Sequence, residues 1–462
     1  MRLFYSGGIF MGTLKKSKTL DMTEGNIAKQ LITFAIPLLL GNIFQYLYNT
    51  VDSLVVGNFV GKEALAAVGS TTYIINTLVM FFGGISVGAS VIISRYFGAH
   101  DDETLHNAIE TTMALTFVGS ILCTAAGIFL SPYLLRFMDT PEDVLPSSSV
   151  YLRIYFGGIT GLMVYNMGSG ILRAVGDTKR PLYFLIFCSI MNIILDLIFV
   201  VAFDLGIAGV AYATVIAQMI SAILVLILLT KTKETYRLVW KELHVDLQLT
   251  KEILLVGLPV GLQQAVTSFS NVYVQSYINS FGSAGMAGWS SFTKIDSFLG
   301  LPLQSIAQAV TTFAGQNIGA KNLDRVKAGV KTALKISFPL IFVMACFLYA
   351  FAPQLVSLFN RNTDVVYYGT LFMRLCVMVV PITCLTQIFS GTMRGAGSAK
   401  IPMYIMLASY VAFRQVYLFI MSHVAHNPYT IGFGYPAGWI LCAVLTTLAY
   451  KFCGWEKKAI KK

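Results

Sequence analysis

The chain has 462 residues, of which 56% are hydrophobic and only 12% charged, and its mean hydropathy is +0.70. Soluble domains normally carry about 25% charged residues, so this composition excludes a water-soluble particle of this size. The formal net charge is +11, but the basic residues form short clusters between apolar runs, which indicates loops at one membrane face rather than a nucleic-acid-binding surface. The clusters lie at 15–18, 173–180, 231–251, 321–335 and 457–462.

Twelve apolar runs follow one another along the chain, each about 20 residues long or more, the length of a membrane-spanning helix. They predict an all-α membrane protein with spans at 28–57, 64–92, 107–131, 150–172, 181–203, 207–230, 252–280, 286–315, 333–353, 365–393, 400–422 and 431–453. An even number of spans puts both termini on one side, and the excess of Lys and Arg in the loops of that side predicts that it is the cytoplasm.

The two halves of the chain repeat each other. The stretch GILRAVGDTKRPLY at 170–183 matches GTMRGAGSAKIPMY at 391–404 at six of 14 positions, with an offset of 221 residues, and the same offset pairs Gly98 with Gly319. Because each repeat holds six spans, the halves insert with the same orientation and should be related by an axis along the membrane normal. The sequence thus predicts twelve transmembrane helices in two pseudo-symmetric six-helix bundles, an N-lobe and a C-lobe, around a central cleft.

The predicted organisation has five parts. They are a cytoplasmic N-terminal segment at 1–27, the N-lobe at 28–231, a cytoplasmic linker at 232–251, the C-lobe at 252–453 and a basic cytoplasmic tail at 454–462.

Ionisable residues within the spans are few, and each is a candidate functional group because an intramembrane charge costs about 2.5–3.5 kcal/mol on insertion scales. The N-terminal half supplies Asp52 and Asp196, and Asn192 lies one helical turn before Asp196. Neighbouring spans add Thr214, Ser169 and Asn166. Two carboxylates in a dry site cannot both ionise cheaply, so the pair could bind and release a proton or hold Na⁺ through oxygen ligands. The alternatives are that Asp52 reaches water at the outer end of its span and that Asp196 is a hydrogen-bonded packing residue.

The C-terminal half carries Lys294, Asp296 and Arg414 within its spans. Lys294 and Asp296 are two residues apart, so they point to different helix faces; they could lie along the cleft, or balance each other across the bundle. Arg414 lies beside the repeat-equivalent of Asn192, which indicates that the two lobes have diverged chemically. Pro37, inside the first span, could be a hinge coupled to Asp52 or a static kink.

Signals for an enzyme are poor. The chain has no Walker A motif, and its five His and seven Cys form no metal or disulfide pattern. Energy should therefore come from an ion gradient, which is worth about 2.3 kcal/mol per charge per 100 mV. No cofactor is expected beyond H⁺ or Na⁺ as the coupling ion, and no metal apart from Na⁺.

From about Thr23 to the C-terminus the sequence resembles the multidrug and toxic compound extrusion (MATE) family. The resemblance is carried by LRAVGDTKRP at 172–181 and GQNIGAKNLDR at 315–325, while KIDSF at 294–298 is similar to the bacterial MepA-like and DinF-like branches. It implies a secondary active antiporter of the bacterial cytoplasmic membrane. Such proteins export organic, often cationic and aromatic, compounds in exchange for H⁺ or Na⁺ by alternating access.

The resemblance also implies a cation site in the N-lobe. Its carboxylates and amide fall on Asp52, Asn192 and Asp196, and its threonine falls on Thr214. A fourth-helix Asn of that site falls on Ser169, a departure for which the nearby Asn166 could compensate. The C-lobe acids of the NorM-like branch are missing: the seventh-helix position falls on Thr267, and the tenth span has no carboxylate. Coupling is therefore expected through the N-lobe.

A broad-specificity cavity needs aromatic residues, methionines and a few polar groups. The candidates are Gln263, Gln264, Tyr273, Met286, Trp289, Phe292, Lys294, Asp296 and Arg414. The expected partners are small organic substrates and the lipid bilayer, with no nucleic acid and no ATPase subunit, and the protein is expected to be a monomer. Two alternatives remain: a flippase for a lipid-linked or polyprenyl-phosphate cargo, favoured by a cationic cleft, and a membrane enzyme, for which no catalytic constellation is found.

Overall fold

A computed structural model of the chain describes residues 19–60, 62–138, 141–142 and 144–456. Within these ranges the side chains of 49, 52–54, 58, 62–66, 70, 73 and 137 lie outside the description, which includes the Asp52 side chain. Every regular element of the described chain is helical.

Six helical segments form the N-lobe. They are α1 at Ile27–Val55 with a π-helical continuation at Val56–Val60, α2 at Lys62–Gly98, α3 at Asp102–Phe137, α4 at Leu145–Gly157 and Ile159–Ala174, α5 at Lys179–Leu197 with a π-helical continuation at Ile198–Ala202, and α6 at Gly206–Lys231.

Six further segments form the C-lobe. They are α7 at Leu247–Asn279, α8 at Gly282–Gly319, α9 at Leu323–Ala350 followed by the short helix Ala352–Ser357, α10 at Thr363–Val377 and Thr383–Gly395 joined by the 3₁₀ turn Val380–Ile382, α11 at Lys400–Met406 and Arg414–Val424 joined by the π-helical stretch Leu407–Phe413, and α12 at Pro428–Gly432 and Gly434–Phe452.

Ten of the twelve segments are long and apolar enough to cross a membrane by themselves. The other two are α4 and α8. The break at Gly158 divides α4 into pieces of 13 and 16 residues, and α8 combines Lys294 and Asp296 with many hydroxyl and amide side chains. The predicted fold class is confirmed: the chain is an all-α membrane protein with twelve helical segments in two lobes around a central cleft.

The helices extend beyond the apolar runs that predicted them. The start of α7 at Leu247 lies within the stretch 232–251 that the sequence assigned to a linker. The Asp246 side chain accepts hydrogen bonds from the backbone nitrogens of Gln248 and Leu249, and this N-cap begins the helix before the first apolar turn. Apolar runs mark where a helix crosses the bilayer, whereas capping residues mark where it begins.

The pseudo-twofold axis passes between the ends of α2 and α8. Positions 95 and 316, and positions 98 and 319, are related by the repeat offset of 221. A Cβ placed on Gly98 would lie 2.0 Å from the carbonyl oxygen of Gln316, and one placed on Gly319 would lie 1.9 Å from the carbonyl oxygen of Arg95. Each contact is thus the image of the other. Only glycine allows the two backbones to approach so closely.

The two lobes are joined at the end of the molecule where the described chain begins and ends, which we call the termini end. The Gln316 side chain accepts a hydrogen bond from the Met22 backbone nitrogen (2.8 Å) and donates one to the Ala174 carbonyl at the end of α4 (2.9 Å). Across the axis, Arg95 donates a longer bond of 3.5 Å to the Ala396 carbonyl after α10. The two donors are repeat counterparts and their acceptors differ by one position in the repeat, and together these bonds hold the termini end closed.

The contact between the lobes continues along α2 and α7. A Cβ on Gly84 would lie 2.2 Å from the Gly261 backbone nitrogen, and one on Gly88 would lie 2.5 Å from the Gly257 backbone nitrogen. Small residues at such positions allow backbones to touch, as is common between helices in membranes. The cleft therefore has a tightly packed wall on the α2–α7 side.

Candidate functional site

The N-lobe holds a buried polar cluster on α5 and α6. Asn192 and Asp196 lie one turn apart on α5 and are 1% and 0% exposed, and Thr214 on α6 is 5% exposed. With the Asn192 amide oriented to suit its neighbours, Nδ2 donates to Asp196 Oδ2 (2.9 Å) and Oδ1 accepts from the Thr214 backbone nitrogen (3.2 Å). The structure thus brings together three of the six residues predicted for the coupling-ion site.

A buried apolar cluster shows at what level along the helices the residues of this site lie. Val56, Val200 and Val210 belong to one group of buried residues. Asp52 comes four residues before Val56, and Asp196 comes four residues before Val200. Thr214 comes four residues after Val210, on a helix that runs in the opposite direction. All three positions therefore lie one helical turn from this cluster, on the side of the termini end. The Asp52 side chain itself lies outside the described residues.

The remaining members of the predicted site lie on α4 and α1. Ser169 is buried on α4, and the backbone oxygen of Asn166 accepts a hydrogen bond from Ser86 on α2 (3.0 Å). In the described part of the chain neither side chain forms a hydrogen bond with Asp196. Pro37 is buried within α1, which continues through it as one helix from Ile27 to Val55.

Between the lobes the structure contains a cavity of about 480 Å³, most of whose wall belongs to the C-lobe. Residues of α2, α4, α7, α8, α10 and α11 line it, and polar side chains predominate among them. The polar lining residues are Ser86, Ser90, Arg173, Gln263, Gln264, Thr267, Ser268, Asn271, Gln304, Gln308, Thr311, Thr312, Gln387, Arg394 and Tyr410. Among the described residues that line the cavity, none is a carboxylate and none belongs to the predicted N-lobe ion site.

Two arginines of the cavity were not predicted from the sequence to be site residues. Arg173 was assigned to a basic cytoplasmic loop, but it lies in the last turn of α4, and its repeat partner Arg394 lies in the last turn of α10. Both line the cavity. The signal was present in the repeat, because this Arg is one of the six identities between the halves. Helix C-terminal turns favour cations, so a basic cluster can begin inside a span.

The predicted cavity residues divide into two groups. Gln263 and Gln264 line the cavity. Trp289 and Phe292 instead lie in the core of the C-lobe, where Trp289 packs against Phe372 of α10 with ring centroids 5.1 Å apart, because this face of α8 is turned toward α10. Tyr273 and Met286 are exposed and lie outside the cavity lining.

The three charged candidates of the C-lobe lie apart from one another. The Lys294 ammonium stands 5.8 Å from the centre of the Phe359 ring, and Asp296 lies near Cys376 and Tyr435. Arg414 is 3% exposed and donates hydrogen bonds to Ser270 (3.2 Å) and to Asn271 Oδ1 (2.8 Å). In the described part of the chain none of the three forms a salt bridge with another.

The arrangement separates two kinds of chemistry. The N-lobe site is a compact, buried cluster with one described carboxylate. This carboxylate can bind a proton or a small cation, whose positive charge offsets its own negative charge. The central cavity has room for an organic molecule and presents amides, hydroxyls and guanidinium groups to it.

Comparison with known proteins agrees with this architecture. A model of the MatE family matches residues 37–198 and again 259–420, which are the two repeats. The chain is 31% identical to "Probable multidrug resistance protein YpnP" of Bacillus subtilis (strain 168), over 95% of this chain and 98% of that protein. It is 20% identical to "Multidrug export protein MepA" of Staphylococcus haemolyticus (strain JCSC1435), over 84% of this chain and 85% of that one.

Among solved structures, "Crystal structure of MATE in the bent conformation" superposes with a TM-score of 0.90 at 25% identity, covering 96% of this chain and all of that one. The match of the family to both repeats, over most of the chain, agrees with the two-lobed fold and with the motifs at 172–181 and 315–325. The chain therefore belongs to the MatE family of multidrug and toxic compound extrusion transporters.

Proposed function

We propose that the protein is a secondary active exporter that moves organic small molecules out of the cell in exchange for H⁺ or Na⁺. The coupling ion binds in the N-lobe at Asp196, with Asn192, Thr214 and Asp52 completing the site. The observation that carries this proposal is the complete burial of Asp196, which is hydrogen-bonded to Asn192, whose amide oxygen in turn accepts from the Thr214 backbone nitrogen of α6. The names of the relatives, a multidrug resistance protein and a multidrug export protein, support export of drug-like compounds.

A carboxylate in such a place makes transport sensitive to an ion. An ionised carboxylate buried without a cation is strongly destabilised, so the site favours a bound proton or Na⁺. The free energy of the site therefore changes with the ion concentration on the side to which it is open. A gradient of one charge supplies about 2.3 kcal/mol per 100 mV, which is enough to bias an equilibrium between two states of the lobes.

The two states differ in which end of the molecule is closed. In this structure the termini end is closed by the glycine contacts on the pseudo-twofold axis and by Gln316 and Arg95. Alternating access requires that these contacts break while the opposite ends of the lobes approach. We place the protein in the bacterial cytoplasmic membrane with the termini end in the cytoplasm, because the basic clusters flank that end. It works without an ATPase subunit, nucleic acid or cofactor, as a monomer.

The second candidate is a flippase for a lipid-linked phosphate cargo. The observation that favours it is the pair of arginines in the cavity, Arg173 and Arg394. A flippase of this kind would move its cargo without dependence on the carboxylate of Asp196.

The test uses purified protein in proteoliposomes loaded with ethidium or with carboxyfluorescein, so that the result does not depend on the charge of the dye. Dye transport is measured under an imposed pH gradient, an imposed Na⁺ gradient and no gradient. We expect one gradient to drive transport by the wild type and Asp196→Asn to abolish that dependence. Asp204→Asn, the same change at an exposed position just beyond α5, is the matched control and should behave as the wild type.

Two results would contradict the proposal. If Asp196→Asn responds to the gradient as the wild type does, Asp196 is a packing residue. If neither gradient drives either dye, the protein is not an ion-coupled exporter of such compounds.

A further inference from the structure

We propose that the central cavity selects organic anions, because it binds the anionic group of its substrate between Arg173 and Arg394. The substrate class is an organic molecule that carries a phosphate or carboxylate, not an organic cation. This inference rests on the proposed function only in taking the cavity as the place where the transported molecule binds.

The first argument is the charge of the cavity wall. Arg173 and Arg394 both line it, and none of the described lining residues carries a negative charge. In the described part of the chain neither arginine forms a salt bridge, and Arg394 Nε is buried without a hydrogen-bond acceptor. A guanidinium with few polar partners in a membrane interior is destabilised unless an anion joins it. A bound carboxylate or phosphate would supply the missing acceptors in the bidentate geometry that arginine favours.

The second argument is the symmetry of the two arginines. They occupy equivalent positions of the repeats, in the last turns of α4 and α10, and approach the cavity from opposite lobes. The carbonyl end of each helix stabilises its arginine in part, but it leaves the net charge of the cavity unchanged. An anion between the two arginines would contact both lobes at once. Its binding is therefore sensitive to their relative position, as transport requires.

The third argument is the polar network behind the wall. Arg414 donates to Asn271 Oδ1 (2.8 Å), and the Tyr435 hydroxyl donates to the same oxygen (3.3 Å). With its oxygen engaged, Asn271 has only its NH₂ group to offer to a molecule in the cavity that it lines. The intramembrane carboxylate of the C-lobe, Asp296, is not among the lining residues. The wall thus presents two arginines and an amide donor, and Arg414, which is not a lining residue, holds that amide by its oxygen.

The chemistry of the cavity also works against cations. An organic cation in a volume of about 480 Å³ would have to lie close to at least one guanidinium, and no carboxylate among the described lining residues would offset the repulsion. A phosphate or carboxylate could come either from a soluble compound or from the headgroup of an anionic lipid. Both sources share the group that the arginines would bind, and the experiment separates them.

The experiment measures equilibrium binding to the purified full-length protein by fluorescence anisotropy, with no ion gradient. The probes are carboxyfluorescein and rhodamine 6G, which share a xanthene core but carry opposite charges. We expect the wild type to bind the anion at least about tenfold more tightly than the cation, a difference of about 1.4 kcal/mol. Comparable or tighter binding of rhodamine 6G would overturn the proposal, and this result needs no variant.

The variants locate the site. Arg173→Gln and Arg394→Gln should each weaken carboxyfluorescein binding about tenfold, since each removes a charge-assisted pair. Arg394→Lys should recover part of the loss, because the charge is kept and the bidentate geometry is not. Arg153→Gln, on an exposed arginine of the first part of α4, is the matched control and should leave binding unchanged. Equal binding by wild type, Arg173→Gln and Arg394→Gln would refute the proposed site.

The source of the anion follows from competition against the bound probe. Phenyl phosphate should displace carboxyfluorescein in detergent if the substrate is a soluble anion. Phosphatidylglycerol nanodiscs should displace it, relative to phosphatidylcholine nanodiscs, if the anion is a lipid headgroup. If neither phenyl phosphate nor phosphatidylglycerol displaces carboxyfluorescein, the proposal is overturned. Because the assay contains no gradient, loss of ion coupling at Asp196 would not affect its outcome, and the two proposals can fail independently.

Discussion

The two lobes share one fold but differ in what their interiors contain. In the N-lobe, α5 and α6 bury Asn192, Asp196 and Thr214 in a compact polar cluster outside the cavity. In the C-lobe the corresponding region carries Arg414, and the bundle opens into a cavity lined by amides and hydroxyls. The duplicated scaffold thus holds a compact polar cluster with a buried carboxylate in one lobe and much of the wall of a larger polar cavity in the other. The difference teaches that two repeats of one fold can have chemically unlike interiors.

The largest effect is expected at the axis that the lobes share. Gly98→Val and Gly319→Val should each disrupt the closed termini end, because the added side chain would overlap a backbone carbonyl that lies 2.0 Å or less from the Cβ position. Overpacking of this kind costs about 1–3 kcal/mol, and here the obstacle is backbone that cannot rotate away. Hydrogen–deuterium exchange at 90–98 and 311–319 should rise in both variants by a similar amount.

The control for these variants is Gly69→Val on α2, where an added Cβ meets no other atom within 4 Å. Exchange at the termini end should then stay as in the wild type. A large effect of Gly98→Val with none of Gly319→Val would contradict the symmetry of the axis.

A second variant identifies the ion of the N-lobe. The buried Thr214 Oγ1 has no hydrogen-bond partner in the described part of the chain, so it is available as a ligand. With Na⁺ as the coupling ion, Thr214→Val should lower the apparent Na⁺ affinity about tenfold through loss of one oxygen ligand. With H⁺ as the ion, transport should change by less than about twofold, because no ligand is lost. Thr230→Val on the same helix, whose hydroxyl bonds to Leu226, is the control.

A third variant tests the polar network of the C-lobe. Arg414→Met removes the donor to Ser270 and Asn271 and leaves their oxygens with fewer partners. We expect the free energy of unfolding to fall by about 1–3 kcal/mol, measured by thermal or denaturant unfolding in detergent. Arg361→Gln, at an exposed loop position, should leave it unchanged. An Arg414→Met protein as stable as the wild type would show that this network contributes little to the C-lobe.

The smallest effect compares the two hydrogen bonds that cross the axis. Gln316→Ala loses the bonds to Met22 and Ala174, whereas Arg95→Ala loses the longer bond to Ala396. Each ordinary hydrogen bond contributes about 0.5–1.5 kcal/mol, so Gln316→Ala should favour opening of the termini end more than Arg95→Ala. Hydrogen–deuterium exchange of α2 and α8 near the axis measures the difference. The reverse order would show that Arg95 holds the lobes by its charge and not by this bond.

Much of the fold could be predicted from the sequence, for reasons that do not depend on tertiary contacts. Apolar runs predicted the twelve segments, and the identities at 170–183 and 391–404 predicted the two lobes. The pairing of Asn192 with Asp196 followed from helical spacing on one segment. Such features are local, so a single sequence carries them.

The cavity was harder to predict because it depends on which face of a helix its neighbours cover. Trp289 has the character of a cavity residue, but α10 packs against it, while Gln263 and Gln264 face the space between lobes. Arg173 lies at the border of span and loop, where composition alone assigned it to the loop. Packing determines how a helix is rotated about its axis. When a helix is apolar on most sides, its sequence does not indicate which face points toward the cavity.

The paired contacts at Gly98 and Gly319 have a consequence for how the chain is assembled. Gly98 meets Gln316, and their repeat counterparts Gly319 and Arg95 meet in the same way, which is the reciprocal pattern of the isologous interface of a twofold dimer, here contained in a single polypeptide. The connecting stretch 232–246 is bonded to the N-lobe, where the backbone nitrogens of Val239 and Asp246 donate to Glu110 and Thr111 of α3, so the covalent link does little to align the halves. Two separate chains divided within the exposed residues 240–242 would therefore retain the information needed to associate, as subunits of a heterodimer with one cavity between them.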